Sequence, residues 1–131
     1  MDREQLIDRL RRDIGDHEPP VITAYLFGSW ARGTARAGSD VDVAVLFAAS
    51  RPRTLMGLPT ELEASLSSSV GRNVQVIDLM RASPDLVHRV LRDGQLLLDR
   101  DPSARIRFEV HRRNQYFDVL PHLQRYRRRS A

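Results

Sequence analysis

The chain is expected to adopt an α/β (α+β) fold, a small mixed β-sheet flanked by helices. Two observations predict it. Apolar residues recur at helical spacing in some stretches, and short β-branched runs stand between those stretches. A length of 131 residues, with 41% hydrophobic and 29% charged, suits one proper core and not two. No repeat or compositional break divides the sequence, so 1–131 reads as a single domain, with 125–131 as a frayed Arg-rich tail.

Leu6, Ile7, Leu10 and Ile14 form one helical face that begins at Asp2 and is ended by Gly15 and the Pro19-Pro20 pair. Residues 21–27 are a nearly continuous apolar run, as in a strand buried on both faces. Gly28-Ser29 interrupts it, with Ser29 as the expected cap of a short helix through Trp30, Ala31 and Arg32. A polar loop with Gly33, Arg36 and Gly38 leads to a second strand, 41–47, expected beside the first. A linker at 48–54 precedes a helix carrying Leu55, Leu58, Leu62, Leu66 and Val70, which starts near Leu55 or at a Thr60/Glu63 capping box. Residues 73–79 make a third strand, with Val74, Val76 and Asp78 on one face and Gln75 and Ile77 on the other. Ser83-Pro84-Asp85 starts a helix with Leu86, Val87, Val90 and Leu91 inward, and residues 96–98 form a short strand. Asp101-Pro102 opens a last helix through Ile106, Val110, Phe117 and Leu120, which Pro121 kinks or ends.

Composition excludes several chemistries. The absence of cysteine removes disulfides, thiolate metal sites and a Cys nucleophile. His17, His88, His111 and His122 are scattered without metal-ligand spacing. All 21 basic residues are arginine, so neither a P-loop lysine nor a Schiff base is available. Codon bias toward Arg explains that usage, and Arg also suits bidentate phosphate contacts. No apolar run approaches the ~20 residues of a membrane span. The first residues lack a signal-peptide core, so the chain is expected in the cytoplasm.

The chemistry gathers at Gly28-Ser29, ten intervening residues, then Asp40-Val41-Asp42. On a strand the two carboxylates point the same way, about 6–7 Å apart. Their mutual repulsion is relieved by a hard divalent cation such as Mg²⁺, bound together with substrate phosphates. A half-exposed strand is the competing explanation for the pair alone. Asp78 is a third strand-borne acid, and a strand end turning to solvent is its own bland explanation. With adjacent strands, all three acids would reach one edge.

The segment 28–45 joins Gly28-Ser29 to Asp40-Val41-Asp42 through Ala31-Arg32-Gly33-Thr34-Ala35-Arg36. It closely resembles the signature of minimal nucleotidyltransferases of the DNA polymerase β superfamily. Within these it is similar to the MNT antitoxin group, encoded beside HEPN-domain toxins. The resemblance extends over nearly the whole chain, through Val76-Ile77-Asp78-Leu79, the Pro84-Asp85-Leu86 helix and a closing helix that contains arginine and tyrosine.

The resemblance implies a nucleotidyltransferase fold and transfer of a nucleoside monophosphate with loss of pyrophosphate. Asp40 and Asp42 would hold two Mg²⁺ ions, about 3.5–4 Å apart, bridging the ATP triphosphate. Asp78 would be the third acid, sharing a metal and helping to deprotonate the acceptor hydroxyl. Gly28 would let the backbone approach the phosphates, and the Ser29 N–H and hydroxyl would bind the β- or γ-phosphate. Arg32 and Arg36 either contact phosphate or serve the loop; Ser39 belongs to the same nucleotide-binding stretch and suits loop support more than substrate contact. Trp30 reads as packing, and Tyr116 and Tyr126 as core or partner-facing.

The leading expectation is an antitoxin that transfers AMP from Mg-ATP to a hydroxyl, expected on a tyrosine, of a cognate HEPN ribonuclease toxin, with which it forms a hetero-oligomer. The alternatives are sequestration of that toxin without essential catalysis, and small-molecule transfer of the antibiotic type. The latter usually needs an acceptor-binding helical domain, for which little chain remains after residue 126. Direct nucleic-acid binding through the arginine tail is not expected, for want of interleaved aromatics or a reading motif.

Overall fold

A computed structural model of the chain describes residues 1–18, 20–48 and 58–130. Its first helix, α1 (Arg3–Gly15), is capped by Asp2, whose carboxylate accepts the Gln5 N–H while the Gln5 side chain returns a bond to the Asp2 N–H. Leu6, Ile7, Leu10 and Ile14 are its buried face, as the spacing predicts. The strands β1 (Val21–Phe27) and β2 (Val41–Phe47) then pair antiparallel, with the one-turn helix α2 (Ser29–Arg32) between them. The cap of α2 is Gly28 and not Ser29, because the chain reverses at Gly28 and Ser29 is already the first helical residue.

The helix α3 (Leu58–Val70) crosses back so that β3 (Val74–Asp78) lies parallel to β2. Pro59 is in the first turn of α3, where its missing N–H costs nothing, so Thr60 lies inside the helix instead of capping it. All of the expected 48–54 linker except Ala48, and also Pro19 and Leu55, falls outside the described residues. The helix α4 (Pro84–Asp93) starts on the Ser83 cap, and β4 (Gln95–Asp99) adds antiparallel to the free edge of β1. The sheet order is β3-β2-β1-β4.

The sheet has a helical layer on each face. Leu62, Leu66 and Val70 of α3 join the α1 residues over Val41, Val43, Val45, Val74 and Val76. Each such fully buried side chain is worth about 1.5–3 kcal/mol. On the other face, Val87 and Val90 of α4 and Phe108 of α5 (Pro102–Ser130) pack on Tyr25, Ala44 and Leu46. Alternation along β2 puts Asp42 on this second face.

The last helix does not end at Pro121 but continues to Ser130. Pro121 is exposed, and the helix is held on both sides of it. Tyr116 stacks on His88 at 3.8 Å between ring centroids, and Arg127 donates to Asp85 at 3.0 Å. Three buried or part-buried bonds fix its first half: Tyr25 donates to Glu109 at 2.6 Å, and Arg112 donates to the carbonyls of Leu79 and Ala82 at 3.0 and 2.6 Å. Ile106, Val110 and Phe117 of α5 are exposed. Among the described residues no helix is long and apolar enough to cross a membrane.

Candidate active site

Phe27 ends β1 directly opposite Asp42 on β2, so the residue after Phe27 turns over the Asp42 side chain. That residue is Gly28, with φ 73° and ψ −154°, a conformation that L side chains avoid. A Cβ there would overlap the Asp42 carboxylate and approach its Cγ to 3.2 Å. Glycine is therefore required both for the turn and for the close approach. Ser29 follows with its backbone at the start of a four-residue helix. A single turn carries little macrodipole, so attraction for an anion must come from individual donors and charges.

Those charges line a cavity of about 420 Å³ bounded by Phe27, Gly28, Ser29, Arg32, Asp42, Arg89 and Asp93. The sequence motif supplies Gly28, Ser29, Arg32 and Asp42, which the structure brings together. It also adds two residues of α4. Arg89 is exposed into the cavity beside the motif, and Asp93 is held in a two-pronged pair with Arg92 at 2.9 Å. That pairing holds the Asp93 carboxyl below its ordinary range. Nothing local in the sequence marks Arg89; only the docking of α4 on the sheet brings it here.

Asp40 precedes β2 and is exposed, whereas Asp42 is half-buried. Burial first, and the neighbouring Asp40 charge second, push the Asp42 carboxyl up, while Arg32 opposes them. The loop before Asp40 is fixed by packing. Trp30 is buried and donates from Nε1 to the Ser39 carbonyl at 3.3 Å. Arg72 lies 5.1 Å over the Trp30 ring and donates to the Ala37 carbonyl. The Ser39 hydroxyl accepts the Arg36 N–H at 2.8 Å. Ser39 thus supports the loop and, with Asp40, Gly71, Arg72 and Asn73, borders a second cavity of about 440 Å³. Arg36 is exposed and lines neither cavity.

Asp78 is not brought to the pair. In the parallel register Asp42 stands opposite Gln75, and Asp78 stands opposite Val45. Asp78 therefore points to the face of Val45, Val74 and Val76, three residues or roughly 10 Å beyond the level of Asp42. Its Oδ1 accepts the Met80 N–H at 3.0 Å, and its carbonyl takes the N–H groups of Arg81 and Ala82. This buried acid closes the turn into α4, which corrects its expected place as third metal ligand. Among the described residues no three His, Cys, Asp or Glu side chains converge on a metal position. The residue that does reach the pair is Gln75, whose Nε2 lies 3.4 Å from Oδ2 of Asp40.

The family model for polymerase beta nucleotidyltransferases matches residues 12–103. The chain belongs to that family. This nucleotidyltransferase is 37% identical over 83 residues to the protein adenylyltransferase MntA of Shewanella oneidensis, an alignment covering 63% of this chain and 57% of the relative. The chain thus matches little more than half the length of that relative. It is similar to a chain in the crystal structure of a toxin–antitoxin with AMP-PNP, with TM-score 0.66 and 30% identity over 98% of this chain and 94% of that one. It is also similar to a chain in the structure of a tri-AMPylated Shewanella oneidensis HEPN toxin in complex with MNT antitoxin. There the TM-score is 0.68 and the identity 25%, over 97% and 93% of the two chains. The mixed sheet with its flanking helices is the fold that the sequence predicts.

Proposed function

We propose that this nucleotidyltransferase acts in the cytoplasm as an antitoxin that moves AMP from ATP to a hydroxyl, on a tyrosine, of a cognate HEPN toxin. The observation that carries the reading is the single cavity in which Gly28 and Ser29 face Asp42 between Arg32 and Arg89. An open turn of backbone, a hydroxyl, two guanidinium groups, the Asp42 carboxylate and an Asp93 carboxylate already paired with Arg92 suit a metal-bound triphosphate. The relatives named above support the nucleotide and the acceptor.

Asp40 and Asp42 suit Mg²⁺: they are hard oxygen donors whose mutual repulsion a cation removes. When bound, it would neutralise charge at the phosphates. Gly28 admits the phosphate chain to the backbone, Ser29 donates to it, and Arg32 and Arg89 hold its outer charge. In the transfer the acceptor oxygen bonds to the α-phosphorus, the bond from that phosphorus to the bridging oxygen breaks, and pyrophosphate leaves. The added phosphate silences the toxin by charge and bulk.

A second reading, neutralisation by binding alone, draws on the exposed Ile106, Val110 and Phe117 of α5. Mass spectrometry of the HEPN partner after incubation with the chain and Mg-ATP decides between them. Increments of AMP on a tyrosine are expected, absent with the Asp40→Asn/Asp42→Asn variant. Unmodified partner with intact ATP overturns the transferase reading, and full protection of cells by the double variant leaves binding as the mode.

A further inference from the structure

The side of the carboxylate pair away from the basic cavity is formed by β3. Paired residues on adjacent strands point to the same face, and Gln75 is the residue of β3 paired with Asp42. Its side chain is exposed, with Nε2 at 3.4 Å from Oδ2 of Asp40. The other acid near the pair, Asp93 of α4, is held by Arg92, so on the sheet a third acid acting with Asp40 and Asp42 would occupy this position.

We infer that Gln75 replaces that acid, so that the site holds one divalent cation firmly instead of two, and that the Gln75 amide receives the acceptor hydroxyl. This rests on the nucleotidyltransferase reading above.

Charge carries the first half. Two Mg²⁺ ions about 3.5–4 Å apart repel each other strongly and are held only by anions that bridge them. Asp40 and Asp42 bring two negative charges, and an amide brings oxygen without charge. One Mg²⁺ is satisfied by one or two carboxylates together with phosphates and water. Two carboxylates and a triphosphate therefore complete one ion and leave a second short of ligands.

Geometry carries the second half. In an in-line displacement the entering oxygen lies opposite the leaving pyrophosphate. Gly28, Ser29, Arg32 and Arg89 put the pyrophosphate on the β1 and α4 side of Asp42. The acceptor then arrives over β3, where the exposed Gln75 side chain stands beside Asp40. Gln75 can accept a hydrogen bond from the hydroxyl through Oε1 while its NH₂ faces Asp40. It cannot keep the proton, which passes to solvent water as the new oxygen–phosphorus bond forms and pyrophosphate departs.

The test is a Mn²⁺ titration of the full chain saturated with a non-hydrolysable ATP analogue, with free Mn²⁺ read by electron paramagnetic resonance. One tightly bound ion per chain is expected for the natural protein and for Gln75→Ala. Gln75→Glu and Gln75→Asp are expected to gain a second, bound at least about tenfold more tightly than any second ion of the natural protein. Gln75→Ala should also raise the KM for the acceptor while leaving affinity for the nucleotide analogue unchanged, and Asp78→Asn should leave the ion count at one. Because Gln75 is exposed, its variants will fold. Two tight ions in the natural protein, or an unchanged count in both acidic variants, overturns the inference. Loss of the second of those ions in Asp78→Asn would restore Asp78 as a ligand. No nucleotide-dependent Mn²⁺ binding at all would instead overturn the nucleotidyltransferase reading, and this inference with it.

Discussion

The backbone of Gly28 rests against the carboxylate of Asp42 so closely that no side chain fits between them: a Cβ on residue 28 would come within 3.2 Å of the Asp42 Cγ and overlap its carboxylate oxygen. Gly28→Ala should therefore displace Asp42 as well as strain a turn at φ 73°. The turn alone costs about 1–3 kcal/mol, and displacement of a reacting group by about 1 Å costs roughly 100-fold in rate. We expect a soluble variant of lowered Tm, with kcat for adenylyl transfer down by about two orders of magnitude. Full activity in Gly28→Ala would show that the contact is incidental.

Arg32 and Arg89 border the same cavity from α2 and α4. A charge-assisted hydrogen bond is worth about 1.5–3 kcal/mol, so each Arg→Ala change should raise the KM for ATP by about tenfold or more. On the proposed reading both would act on the phosphates in ground state and transition state alike, so kcat should change little. Steady-state kinetics at varied ATP checks both variants, and Arg36→Ala, outside the cavity, should leave KM near that of the natural chain.

Asp42 gives a pH dependence whose sign follows from its surroundings. Burial and the Asp40 charge raise its carboxyl above the ordinary value of 3.8, so the folded protein keeps that proton to higher pH than the unfolded chain does. Between those two values the folded state binds more protons, and stability falls as pH rises. The site's contribution to stability is present below the ordinary carboxyl range and is lost through the raised pKa. In chelator, Asp42→Asn should raise Tm by about 1–3 °C at neutral pH, and the gain should vanish below about pH 4. A gain that persists in acid would mean that the charge is not its source.

Arg112 is buried and donates to two carbonyls of the turn that leads into α4. Burial lowers its pKa, yet the guanidinium stays charged at any ordinary pH. Arg112→Ala strands both carbonyls, each at about 1–3 kcal/mol, so a loss of about 2–6 kcal/mol in urea unfolding is expected. Arg113→Ala, one residue on and exposed, should cost less than about 0.5 kcal/mol.

Much of the site is local, and that part was readable. The break at Gly28 after an apolar strand, and the period-2 spacing of Asp40 and Asp42, are properties of neighbouring residues. The place of Asp78 is not. Its separation from Gln75 by strand alternation can be read from one strand, but which of the two meets Asp42 depends on how β3 slides along β2. That offset is set by the α3 crossover and its packing, including the Ser67 hydroxyl that accepts the Val74 N–H at 3.0 Å. Arg89 was hidden for the same reason, since a polar position on a helix acquires meaning only when the helix docks. Periodicity was likewise silent on Ile106, Val110 and Phe117, which follow helical spacing yet face outward.

The family match ends at residue 103, whereas α5 runs from Pro102 to Ser130. Physically that boundary cuts through the molecule. Without α5, Tyr25 in the middle of β1 loses Glu109, and the carbonyls of Leu79 and Ala82 lose Arg112. Those groups would bond to water instead, and the face of the sheet formed by Tyr25, Ala44 and Leu46 would lose the Phe108 side chain that packs on it. The shared catalytic portion is thus not a portable module: a 12–103 fragment should be molten, and the strand that ends in Gly28 would lose the brace that keeps the turn on Asp42.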